Sequence, residues 1–136
     1  MITPDVESLR TALHLLGVAV WLGGQIVLAG IVPALRASAP ESTRLVARGF
    51  ARLAWPAMLV IVATGMWTYV DIDATSRDTA YSVTFGLKML MVGTTVAATV
   101  VHSFGSSRAA KAVGGAASLL SALGAAYLGV LLAHAA

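Results

Sequence analysis

The sequence predicts an all-α integral membrane protein, an up-down bundle of four transmembrane helices with both termini on the outer side. Three observations predict it. Of the 136 residues, 58% are hydrophobic and 11% are charged, against roughly 25% charged in an ordinary soluble domain, and the mean hydropathy is +0.85. Four apolar runs, at about residues 11–32, 53–70, 83–104 and 112–133, each approach the ~20 residues that a helix needs to cross a bilayer. The charges between these runs then alternate in sign from one side to the other.

The first run follows Asp5 and Glu7, where a cleaved signal would carry positive charge, and is too long for one, so it is read as a retained helix. Thr3 or Asp5 is its expected cap, Pro4 is tolerated in a first turn, and Pro33 is expected to end the run. The connection from Pro33 to Arg52 holds Arg36, Arg44, Arg48 and Arg52 against Glu41, and the third connection adds Arg108 and Lys111. The other side has Arg10 and Arg77 against Asp5, Glu7, Asp71, Asp73 and Asp78. By the positive-inside rule the Arg-rich connections are expected to be cytoplasmic, and the acidic loop and both termini outside. Trp67, Tyr69 and Tyr81 then fall at the outer interface and Trp55 near the inner one.

Short connections make consecutive helices antiparallel, in one four-helix domain spanning residues 1–136. Gly17, Gly24 and Gly30 in the first helix, and Gly114, Ser118, Ser121 and Ala125 in the fourth, are small enough for close helix packing. Strands are not expected, because the runs are apolar almost all round instead of alternating. The absence of cysteine removes disulfides, thiolate metal sites, Fe–S clusters and covalently attached c-type haem. The basic excess follows membrane sidedness, so the expected partner is the lipid bilayer and not nucleic acid.

An ionisable group at membrane depth asks for a partner, a cavity or a function. His14 and Lys88 lie at similar offsets inside the outer ends of the first and third helices, which places them at a common depth. His134 reaches that level on the fourth helix, with Tyr127 two turns deeper. His14 is either a metal or haem ligand or a neutral imidazole hydrogen-bonded across the bundle. Lys88 either binds an anionic group or snorkels to the surface. His134 is either a ligand or a terminal side chain open to water.

Lys88, Val92, Thr95, Thr99 and His102 lie on one face of the third helix, with Lys88 and His102 about 21 Å apart along it. They fit opposite ends of a polar path better than one mononuclear site. His14, Gly17, Trp21, Gly24 and Leu28 form a second stripe, in which an aromatic wall beside glycines suits a flat ligand or a neighbouring helix. Met58, Met66, Met89 and Met91 offer soft sulfur for copper, or fill gaps as methionine commonly does.

The segment His14-Leu-Leu-Gly-Val-Ala-Val-Trp21-Leu-Gly-Gly, then Pro33, Phe85-Gly-Leu-Lys88 and a His closing that same helix, resembles the CopD-like family of bacterial membrane proteins. That family is associated with copper resistance or uptake and is similar to the HemJ-type protoporphyrinogen oxidases, which bind haem b and pair a first-helix His with a later Lys. The resemblance implies functional roles for His14 and Lys88. The chain departs from the HemJ type after Trp21, where Leu-Gly-Gly-Gln-Ile replaces a Leu-Pro-Arg stretch.

The leading expectation is therefore a haem b protein with a redox role, electron transfer or porphyrinogen oxidation, and a redox partner or homo-oligomer. His14 would be an axial ligand, His134 or Met89 a second, and Lys88 a propionate partner or ligand, with Trp21 and Tyr127 beside the cofactor. The alternatives are a Cu(I) site using His14, His134 and Met89, or a non-catalytic subunit of a membrane complex. A small proton-coupled transporter ranks lower, since no span embeds a carboxylate.

Overall fold

The computed structural model describes residues 3–73 and 76–135. The helices are α1 (Val6–Val18), α2 (Gly24–Ser38), α3 (Pro40–Asp71), α4 (Thr79–Phe104) and α5 (Arg108–His134), with a π-helical turn, Ala19–Gly23, joining α1 to α2. No strand occurs among the described residues. Val6–Ser38 runs as one helical path, so among the described residues four helical segments are long and apolar enough to cross a membrane. The chain divides into two units, residues 1–72 and 73–136, and each is a helical hairpin.

In the first hairpin Asp5, not Thr3, supplies the cap. Its carboxylate accepts from the Ser8 N–H at 2.7 Å while its own N–H donates to the Ser8 hydroxyl at 3.1 Å, satisfying two donors that the helix start leaves open. Hydrogen bonding from the Ser8 side chain and from its backbone N–H holds the Asp5 carboxyl below its usual range. Pro33 does not end the helix as expected. α2 runs on for five residues beyond it, and the stop comes at Ala39, with φ −151° and ψ 71°. Ala39 precedes Pro40, and the ring of a proline drives the residue before it out of the helical region.

Pro40 then opens α3 from the first-turn position, where its missing N–H costs nothing. The expected connection between Pro33 and Arg52 is thus helical on both sides of one residue. At 1.5 Å per residue, Val6–Ser38 and the 32-residue α3 each measure about 48 Å, well beyond a hydrocarbon core of about 30 Å.

α1 and α3 run antiparallel, and the small residues of the first stripe set their approach. A Cβ on Gly17 would stand 2.8 Å from Ile61 Cγ1 and 3.1 Å from the Ala57 carbonyl oxygen. A Cβ on Gly24 would overlap the Phe50 ring. Between these levels Trp21 meets Trp55 edge to face, their rings 6.1 Å apart and inclined at 68°.

In the second hairpin Asp78 caps α4 by accepting from the Tyr81 N–H at 2.8 Å, and Ser107 caps α5 by accepting from the Ala110 N–H at 3.0 Å. Only residues 105–107 separate the two helices. Gly105 is needed there, since a Cβ would stand 2.5 Å from the Val101 carbonyl oxygen. Ahead of α4, Asp73 adopts φ +46°, a left-handed conformation that Asp tolerates better than most residues.

Candidate functional site

In a helix pair immersed in lipid, polar side chains find partners on the facing helix or stay costly. In the first hairpin they collect at one end of the α1–α3 contact. His14, half-buried, presents Nδ1 to Thr64 Oγ1 at 2.8 Å. The Thr64 hydroxyl is itself buried and directs its proton to the Val60 carbonyl oxygen at 2.6 Å. Thr64 must therefore accept from His14, which places the ring proton on Nδ1 and the lone pair on Nε2. Gly65 makes room for the imidazole, since even a Cβ there would lie 3.5 Å from His14 Cε1.

One turn towards the start of α1 stands Arg10, which the sequence reading had counted as an aqueous flank. The structure buries it to 4% exposure. Its Nη1 pairs with the carboxylate of Asp71, which is 54% exposed, and its guanidinium lies 5.9 Å from the centre of the Trp67 ring. Its Nε–H is buried with no hydrogen-bond acceptor among the described residues. The spacing of Arg10 and His14, four residues apart on one helix face, was visible in the sequence. Arg10's burial was not, because it depends on where α3 ends.

Trp21 is buried to 4% exposure within the π-helical turn, and its Nε1–H also lacks an acceptor among the described residues. π-Turns inside helices are frequent at functional positions. Here the turn carries the bulkiest side chain of the stripe against Trp55, so the packing role weighed for Trp21 is met by an aromatic neighbour on α3.

The other candidates belong to the second hairpin, where the polar face of α4 is closed by α5. Lys88 lies against Gly129, its Nζ 3.3 Å from where a Cβ would stand, and Met91 lies similarly against Gly124. Thr95 Oγ1 meets Ser121 Oγ at 2.8 Å, and Thr99 Oγ1 meets Ser118 Oγ at 2.8 Å. At the far end His102 donates from Nδ1 to the Lys111 carbonyl oxygen at 2.6 Å, with its ring over Gly115. The row expected as the two ends of a polar path is, along its middle, a hydrogen-bonded helix seam.

Met89 is half-buried, whereas Tyr127 is 65% exposed and lies outside the buried seam. His134 is exposed and turns Nδ1–H back to the Val130 carbonyl oxygen at 2.9 Å. Among the described residues no three His, Cys, Asp or Glu side chains converge as a metal site would require. Near the start of α4, Arg77 lies 5.7 Å from the Tyr81 ring centre, beside a cleft that also touches Thr84, Leu131 and Leu132.

What the geometry offers chemically is concentrated in the first hairpin: an imidazole oriented by a buried hydroxyl, and one turn away a buried guanidinium with a donor to spare. The chain gives no significant match to any protein-family model, curated protein or solved structure.

Proposed function

We propose that this is a CopD-like protein of the bacterial inner membrane that binds haem b through His14, in the outer half of an up-down bundle whose termini are both outside, and serves a redox role. The observation that carries the reading is the His14–Thr64 hydrogen bond. Histidines that ligate metals characteristically donate the other ring N–H to a fixed acceptor, which sets the tautomer and raises the basicity of the ligating nitrogen. Thr64 is such an acceptor, held by its own bond to Val60. The resemblance of the His14–Trp21 segment to haem-binding relatives of the CopD-like family adds to it, and the distribution of Arg and Lys supports the orientation.

Bound haem b supplies a one-electron couple for electron transfer or porphyrinogen oxidation. The chain's part is to fix the imidazole, exclude water with the apolar faces of α1 and α3, and set the ligand's basicity through Thr64.

The test is the absorption spectrum of the purified protein, oxidised and dithionite-reduced, with and without added haem, alongside His14→Ala. A Soret band with sharp reduced α and β bands, lost in the variant, is the expected result. A protein that stays colourless after haem is supplied would overturn the reading, and Cu(I) titration would follow.

A further inference from the structure

We infer that Arg10 holds a carboxylate of the ligand bound at His14, which for haem b is a propionate. This inference rests on the haem reading. Arg10 and His14 are four residues apart on α1, a rise of about 6 Å on one face, and both meet α3, Arg10 at Trp67 and Asp71 and His14 at Thr64. The guanidinium is buried, yet among the described residues Asp71 engages only Nη1 and Nε–H has no acceptor. A charged donor left without an acceptor away from water is costly, and its persistence marks a place where an acceptor from outside the chain is missing.

A carboxylate is the acceptor that suits it, because guanidinium N–H groups bind carboxylates through short, charge-assisted hydrogen bonds. The position fits the shape of the ligand. A macrocycle coordinated at its centre carries both carboxylates on one rim, about one to two helical turns from the coordinated atom. Arg10 lies on the side of His14 towards the helix start, where Asp5 and Glu7 mark the aqueous end. The rim would reach the polar boundary while the ring stays with His14 in the apolar span. Arg10 shares a helix face with the ligating histidine.

The test is a titration of haem b and of its dimethyl ester, in which both carboxylates are masked, into detergent-solubilised wild type, Arg10→Gln and Arg10→Lys, read by the Soret band. Wild type is expected to prefer haem over the ester by about ten- to hundredfold, the worth of one hydrogen bond to a charged group. Arg10→Gln should bring the two to near parity, and Arg10→Lys, which keeps the charge but lacks Nε–H, should lose most of the preference. Equal binding of both ligands by wild type overturns the inference without needing any variant, and so does a variant that folds and keeps the full preference. Binding of neither ligand by wild type would instead be the failure of the haem reading itself, and the inference falls with it.

Discussion

Gly114→Ala should separate α4 from α5, and the structure sets the size of the effect. The added Cβ would stand 2.7 Å from the His102 backbone nitrogen, 2.8 Å from the Ala98 carbonyl oxygen and 3.1 Å from His102 Cα. All three atoms are helix backbone, so no side chain can turn aside and the helices themselves must part. Overpacking of this kind costs about 1–3 kcal/mol. The parting also stretches the Thr99–Ser118 and Thr95–Ser121 pairs, both now at 2.8 Å, each worth about 0.6 kcal/mol in a membrane helix pair.

Against this, replacing a mid-helix glycine by alanine returns about 1 kcal/mol of helix propensity. The net destabilisation expected is about 1–3 kcal/mol. Gly93→Ala is the control, because nothing lies within 4 Å of its Cβ position; it should be neutral or stabilising. Reversible unfolding in mixed micelles, titrated with dodecyl sulfate, measures both. Equal stability of the two variants would refute the close-packed α4–α5 seam.

Asp71→Asn should leave the buried Arg10 guanidinium without its counter-charge; with Asp71 half exposed, a loss of about 1–2 kcal/mol is expected in the same unfolding assay. Thr64→Val removes the acceptor of the His14 Nδ1–H, so under the haem reading affinity should fall about 10- to 100-fold in a haem titration, with the protein still folded. Because hydrogen bonds from Ser8 depress the Asp5 carboxyl, the cap's stabilisation is present above the ordinary carboxylate value and lost as pH falls through the lowered one. Amide exchange at the first turn of α1 should therefore speed up selectively in acid, and Asp5→Asn should abolish that pH dependence.

The four long apolar helices were legible because a bilayer-crossing helix needs a length and apolarity that show in the sequence. Their ends were not. Arg44, Arg48 and Arg52 read as a loop because they are charged, but charge does not stop a helix whose end projects into water, and α3 takes them in from Pro40. Pro33 misled in the same way: a proline removes one backbone hydrogen bond without ending a helix, whereas Ala39 stops it because the next residue is Pro40.

In each hairpin the candidate residues, His14 in the first and the Lys88–His102 row in the second, were visible as polar groups out of place, but what they pack against sits on the facing helix, and no spacing along one helix reveals it. Thr64 reads as an ordinary helix threonine until α3 is laid against α1. Arg10 was hidden by its nearness to Asp5 and Glu7, which made it look like part of a solvated flank.

The hydroxyl seam of the second hairpin bears on how two such apolar helices would enter a membrane. An α4 helix alone in lipid would carry Thr95 and Thr99 without Ser121 and Ser118, and α5 alone would carry the serines without the threonines. With only residues 105–107 between them, the two helices can meet as soon as both have been synthesised. In a bilayer α4 and α5 would thus be suited to insert as a preformed pair, their hydroxyls already matched.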